Sequence, residues 1–345
     1  MKTNFCTLFN SAYLSRGLVL YESLRTYSAD FHLFVLAFDE DCAAYFKQAG
    51  LPNLTLISLR EFEDEALLQV KPSRTEGEYC WTSTPSLILY CLRTYQLPSC
   101  TYLDADMCFY ADPAILIQEM GEASVLITDH RYSPAYDQSV RSGKYCVQFM
   151  TFVNNEKGIL VLNSWREACI DWCYARVEDG KFGDQKYLDE WPGRFSGVHE
   201  LEHLGGGLAP WNVQQYTFKK TGSGIFGTEI SSGREFQVVF FHYHALKFFT
   251  DGIVSYTSDV YEINSQAKEL LYIPYVRLLK KEKDTVSAGS PLINSDGARD
   301  KSPGKAAFFV ALLRTYFYDL RMAGRAFWQK LKTRKLHNHY HRINL

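Results

Sequence analysis

The 345-residue chain has little that would carry it into or across a membrane. Its longest wholly apolar run, Ala306 to Leu313, is eight residues, far short of the roughly 18 that a spanning helix needs. Met1-Lys2-Thr3-Asn4 leads straight into a strand-like run, which predicts no signal peptide. The nine cysteines include no Cys-x-x-Cys pair, and the closest two, Cys169 and Cys173, stand a helical turn apart. Zinc-site spacing is therefore missing, and scattered thiols in a long chain predict a reducing compartment, the cytoplasm. No repeat is present. With 46% hydrophobic and 22% charged residues, wholesale disorder is excluded.

Net charge is also small, −2, but it is unevenly spread. From Lys305 onward nine Lys or Arg face one acid, Asp319, while the remainder carries 28 basic against 38 acidic residues. Between these parts, residues 281–304 are rich in Ser, Gly, Pro and Asp and predict a polar linker. Apolar positions 309, 313, 316, 320, 323, 327 and 331 step by three or four, and basic positions 314, 321, 325 and 332 share another face. Residues 305–345 thus predict a basic amphipathic helical tail, suited to an anionic membrane surface. The acidic body argues against nucleic acid as a partner.

The body, residues 1–280, alternates strand and helix. Asn4–Phe9, Phe31–Phe38 and Leu54–Ser58 read as strands. Helices are expected over Ala12–Thr26, Asp41–Ala49, Glu61–Gln69, Ser83–Tyr95 and Leu160–Val177. Alternation of this kind predicts an α/β fold with a mostly parallel sheet flanked by helices.

Thr101-Tyr-Leu-Asp104-Ala-Asp106-Met-Cys-Phe109 reads as a strand bearing two acids. Carboxylates at i and i+2 at a strand end can share one hard divalent cation, and Mg²⁺ or Mn²⁺ bridges readily to phosphates. A bare Asp-x-Asp is weak, and the chain has a second, Asp39-Glu40-Asp41. Support comes from Val239-Phe-Phe-His242-Tyr-His244-Ala-Leu-Lys247: a histidine can complete a metal site, and a lysine can neutralise a diphosphate. Asp184-Gln185 is an acid–amide pair that can hold hydroxyls or stabilise a developing cation. The Gly205-Gly-Gly207 run before Pro210-Trp211 predicts an irregular loop that either lines a cleft or makes a tight turn.

Taken in order, Asp104-Ala-Asp106, Phe152-Val-Asn154-Asn155 with Leu162-Asn-Ser-Trp-Arg166, Asp184-Gln185 and His242-Tyr-His-Ala-Leu-Lys247 resemble nucleotide-sugar glycosyltransferases of the GT-A fold, especially the galactosyltransferase/glycogenin-like group, family 8. The resemblance covers about residues 3–250, and Leu8 to Leu14 looks like that group's first strand and nucleotide loop. It implies Asp104 and Asp106 as ligands of Mn²⁺ or Mg²⁺ on the donor diphosphate. His242, or alternatively His244, would be the third ligand, and Lys247 a diphosphate contact. Phe9, Asn10 and Tyr13 would sit near the nucleoside, Arg74 and Thr82–Thr84 near the donor. Asp129, Asn154 and Asn155 would lie near sugar or acceptor, and Asp184 and Gln185 would face the reacting carbon. The pattern departs from the group: Ala245 replaces a glycine after the histidines, and only half of the Gln-Asp-Gln-Asp motif is kept. The implied activity is metal-dependent transfer of a hexose from a nucleotide donor, UDP-linked, to a glycan or lipid-linked acceptor with retention of configuration, at the inner face of a membrane. The alternatives are a sugar nucleotidyltransferase, which the absence of a glycine-rich basic loop disfavours, and a non-catalytic sugar-binding module.

Overall fold

The computed structural model describes residues 2–302 and 339–342. These divide into two compact units, Met1–His244 with Ile263–Asp296, and Ala245–Glu262 with the described part of Gly297–Leu345.

The first unit is built on a seven-stranded sheet. Its first eight strands are β1 Thr3–Phe9, β2 Phe31–Ala37, β3 Leu54–Ser58, β4 Ser99–Leu103, β5 Met107–Phe109, β6 Val125–Asp129, β7 Tyr145–Val153 and β8 Val198–Glu200. The sheet order is β3-β2-β1-β4-β7-β6-β8. Neighbours pair in parallel except around β7, which runs antiparallel to both β4 and β6. The expected α/β sheet flanked by helices is therefore present. β1 and β2 read as unbroken apolar runs because both faces are covered. One face packs under helices Glu76–Thr94 and Glu156–Asp171, with Trp165 stacked on Phe152 and edge-on to Trp191. The other packs under Leu14–Tyr27. Strands β9 Tyr216–Thr221, β10 Gly224–Glu229 and β11 Glu235–Gln237 form a separate antiparallel sheet, and β12 Phe240–His242 pairs with β5.

Several element boundaries differ from expectation for local reasons. The helix expected from Ser83 starts at Glu76, because Thr75 and Glu78 form a capping box. Pro85 then falls mid-helix, and Thr82–Thr84 are buried interior residues, not a helix start. The helix expected over Glu61–Gln69 is two short ones, since Ser58 and Asp64 each cap one. The helix expected over Leu160–Val177 runs Glu156–Asp171, capped by Asn155.

The expected linker 281–304 is overturned in its first half. Ile273–Gly289 is a continuous helix, with Tyr275, Val276, Leu279, Glu282 and Val286 on a buried face; the polar composition is its solvent side. The residues after it stay with the first unit: Ser15 N–H donates to the Ser295 carbonyl, and Lys283 pairs with Asp296 at 2.7 Å.

The second unit contains an antiparallel sheet of β13 Lys247–Phe248, β14 Ile253–Ser255 and β15 Tyr340–Arg342. The basic helix expected over residues 306–335 lies outside the described residues. All nine cysteines are free.

Candidate metal centre and surrounding cleft residues

The run expected as one strand, Thr101–Phe109, breaks at its two acids. β4 ends at Leu103, β5 begins at Met107, and Asp104-Ala105-Asp106 is the turn between them. Its main chain is pinned from two sides. Asp104 N–H donates to the Gln148 carbonyl on β7, and Tyr243 N–H donates to the Asp106 carbonyl. Antiparallel pairing sets His242 opposite Met107. The turn thus lies at the carboxyl edge of the central parallel strands, where open α/β sheets bind ligands.

Among the described residues, Asp104, Asp106 and His242 form a group whose ligand atoms all lie within 4.8 Å of one another. His242 Nε2 is 3.0 Å from Asp106 Oδ1 and 3.7 Å from Asp104 Oδ2, while Tyr102 O–H donates to Asp104 Oδ1 at 3.1 Å. Of the two histidines left open by the sequence, His242 is the one in this group. His244 is exposed and sits with its ring 5.5 Å from Trp211.

Burial and mutual charge divide the three groups. Burial pushes Asp104 up to about 6, against the pull of His242. Burial also opposes ionisation of Asp106, but the adjacent His242 outweighs it and holds Asp106 at about 2. Burial would strip the proton from His242; the Asp106 charge reverses that and raises its pKa well above the imidazole range. Without a cation, His242 is itself the counter-ion of the pair. Two carboxylate oxygens and an imidazole nitrogen suit a hard or borderline divalent ion, so these residues fit Mn²⁺ or Mg²⁺, which would displace the His242 proton.

The competing acidic motif has another task. Asp39 caps the helix Glu40–Ala49 through Cys42 N–H and accepts from the Ser11 N–H and hydroxyl, each at 2.8 Å.

Asp184 is 4% exposed and close enough to Asp104 to feel its charge. Burial is the larger cause that raises it to about 8, so it is protonated at neutral pH. Trp165 Nε1–H donates to its carbonyl at 2.9 Å, and Gly183 before it takes φ +54° beside Trp81. Gln185 donates from Nε2 to the Ser142 carbonyl. Asp129 ends β6 at the same sheet edge, accepts from Arg131 N–H at 2.7 Å and lies 3.7 Å from Lys144 Nζ.

The other expected residues have contacts of their own. The Phe9 ring is buried against Gly17 and Phe46, so it offers no face to a nucleoside. Asn154 and Asn155 lie past the far end of β7, because β7 is antiparallel to β4: Asn154 donates to the Leu97 carbonyl, and Asn155 caps a helix. Asn10 donates to Glu76. Tyr13 is half exposed under the Arg16 guanidinium. Arg74 is held by the Ile170 carbonyl and the Tyr174 ring. Lys247 belongs to the second unit.

Sequence reasoning missed three participants. Arg16 is 3% exposed, and its charge helps to depress Asp106. Arg131 clamps the glycine loop by donating to the carbonyls of Leu201, His203 and Gly206. Gln148 Oε1 lies 2.7 Å from His242 Nδ1. Arg16 follows the Asn10–Tyr13 turn closely enough that a buried helical arginine was a readable signal; the other two were not. The glycines themselves are sterically required. A Cβ on Gly205 would lie 1.8 Å from the Gln237 carbonyl oxygen, and Gly207 takes φ +95° against Thr128. Trp211 then donates to the His130 carbonyl and sets its ring edge-on to His242, at 5.5 Å.

Cys6, Cys91 and Cys100 also bring three thiols together, fully buried in the apolar core.

No protein-family model matches this chain. The uncharacterised protein YfnD of Bacillus subtilis (strain 168) is 27% identical over 293 residues, 84% of this chain and 92% of YfnD. YfnF of the same organism is 30% identical over 226 residues, 63% of this chain and 75% of YfnF. Among solved structures, the galactosyltransferase LgtC with donor and acceptor sugar analogues aligns over 81% of this chain and 96% of its own, at 12% identity and TM-score 0.47. Mouse xyloside xylosyltransferase 1 aligns over 70% and 97%, at 12% and 0.43. The glycosyltransferase GlyE of Streptococcus pneumoniae TIGR4 aligns over 60% of this chain, at 15% and 0.38; the chain spans 47% of that one.

Proposed function

Because the chain belongs to one family with the Bacillus subtilis protein YfnF, whose own role is not known, we propose its function from its residues: a metal-dependent glycosyltransferase that moves a hexose from a nucleotide donor, UDP-linked, to a hydroxyl of a glycan or glycolipid. The observation that carries the reading is the Asp104–Asp106–His242 group at the carboxyl edge of the sheet. The sequence resemblance to family 8 supports the same assignment.

Asp104, Asp106 and His242 would hold Mn²⁺ or Mg²⁺. Bound there, such an ion supplies Lewis-acid stabilisation of the charge that builds on a leaving diphosphate. The chain's residues do the rest. Arg16 adds fixed positive charge behind Asp106. Asp184, buried and protonated, is suited to donate a hydrogen bond to the sugar rather than to act as a charged base. That favours attack by the acceptor hydroxyl on the face the diphosphate leaves, with its proton passing to the departing phosphate oxygen, hence retention. Gln185 is half-buried and fastened to Ser142, which fits a positioning role.

The test is donor breakdown without acceptor. Purified protein with Mn²⁺ is expected to release UDP slowly from one UDP-sugar of a panel, and a chelator is expected to abolish it. Release that ignores the chelator, or pyrophosphate as the product, would defeat the proposal.

We extend the reading to a lipid-linked acceptor at a cytoplasmic membrane surface, reached through the basic residues 305–345. No helix among the described residues is long and apolar enough to span a bilayer. Flotation on vesicles containing anionic lipid is expected for the full chain and lost when residues 305–345 are deleted; equal flotation of both would refute it.

A further inference from the structure

Gln148 lies on β7 and is fully buried. Its main-chain carbonyl accepts from Asp104 N–H at 3.1 Å, and its side-chain Oε1 lies 2.7 Å from His242 Nδ1. One residue therefore grips two members of the acidic–histidine group, one through its backbone and one through its amide. The far end of that amide is costly. Gln148 Nε2 is buried with no hydrogen-bond partner among the described residues, in the space beside Gly207, whose added Cβ would approach it to 3.5 Å. An unsatisfied buried donor costs about 1–3 kcal/mol. A residue serving only to fill the core here would be apolar, as Phe149, Met150 and Phe152 on the same strand are. The amide oxygen is the atom that it sets against His242 Nδ1.

We propose that Gln148 is a positioning residue that fixes the tautomer of His242. With Oε1 accepting at Nδ1, the ring carries its proton there, and Nε2 turns its lone pair toward Asp104 and Asp106. The opposite tautomer would place an N–H where the cation must bind. Ligating histidines ordinarily donate their second N–H to a fixed oxygen, and losing that oxygen costs about 10–100-fold in metal affinity. The inference rests on the metal-site reading proposed above.

Mn²⁺ binding in the presence of UDP, followed by the electron paramagnetic resonance signal of free Mn²⁺, separates the two. Gln148→Met keeps the side chain's length and removes the acceptor; its Mn²⁺ affinity is expected to fall about 10–100-fold. Gln148→Glu restores an acceptor oxygen and is expected to stay within about threefold of the parent protein, because a carboxylate serves the same second-shell role. Asp106→Asn serves as control for the site itself. If Gln148→Met binds Mn²⁺ as the parent does while Asp106→Asn has lost it, the inference is wrong and the metal site stands. If Asp106→Asn and His242→Ala also bind normally, the metal site is wrong and the inference goes with it. The unmodified chain gives a readout that does not depend on the folding of any variant. With ¹⁵N-labelled histidine, Mg²⁺ and UDP, His242 is expected to show a protonated Nδ1 and an unprotonated Nε2; a proton on Nε2 would overturn the assignment.

Discussion

Replacing Asp106 with Asn is expected to cut metal-dependent release of UDP from the donor by about 10²–10³-fold, the loss seen when one preorganised charge-stabilising group is removed. The side chain keeps its size, so the core around Met107 and Phe109 stays filled. What changes is charge. Asp106 carries the closest contact to His242 Nε2 and is held ionised at about 2 even in its buried setting. Without that carboxylate the group loses one of its three ligands, and Asp104, which burial pushes up, is left as its single carboxylate. The loss should be much larger at 10 µM Mn²⁺ than at 10 mM if affinity is what fails. Steady-state UDP release across a Mn²⁺ titration measures it, and turnover unchanged at every concentration would remove Asp106 from the site.

The second large effect combines a loss and a gain. Asp184→Asn keeps a hydrogen-bond donor in place of the protonated carboxyl, so turnover is expected to fall by about tenfold at most, the scale of one re-aimed hydrogen bond, while thermal stability rises at neutral to alkaline pH. The sign follows from linkage. Asp184 is raised to about 8 in the folded chain, chiefly by burial and then by Asp104, against about 3.9 for a free aspartate. Below about pH 4 both folded and unfolded chains hold the proton, and the residue costs nothing. As pH rises from 4 to 8 the unfolded chain ionises while the folded chain does not, so stability is lost through that window and levels off above it. Each unit is worth 1.36 kcal/mol, which puts the cumulative cost at about 6 kcal/mol as an upper bound. Asparagine does not ionise and escapes it. Melting curves in chelator at pH 4.5 and pH 8 should show the variant within about 1 kcal/mol of the parent at the lower pH and several degrees above it at the higher. A variant that melts lower at both would mean that Asp184 is an ionised, satisfied residue. A gain in stability together with a loss of activity is what a group kept buried for chemistry shows.

How much of this was readable in advance varies with how local the cause is. β1, β2 and the flanking helices followed from apolar periodicity, because burial on both faces leaves a direct mark on composition. Asp104-Ala-Asp106 at a strand end and the histidine pair were visible as residue types. Their separation of more than 130 positions gave no indication that β12 would lay His242 against that turn. The choice between His242 and His244 turned on a single antiparallel register, Met107 opposite His242, which local sequence does not encode. Asn154 and Asn155 were misplaced for a related reason. β7 is the one reversed strand in the sheet, so residues that follow it are carried away from the acidic turn and residues near its start, including Gln148, are carried to it. The linker expected from residue 281 failed because a helix with one buried face has a polar average over a short window; composition cannot see which side of Ile273–Gly289 faces the core.

The sequence by itself determined the layer architecture, the acid–acid–histidine inventory and the charge contrast between body and tail, since each is a property of residue type and short-range spacing. Only the tertiary structure decided which histidine joins the carboxylates and that Asp39 is a helix cap. It alone decided that Asp184 is buried deeply enough to keep its proton and that Gln148 holds His242. Each of these depends on contacts between segments far apart in the chain, and on desolvation, which exists only once the surrounding residues have closed over the group.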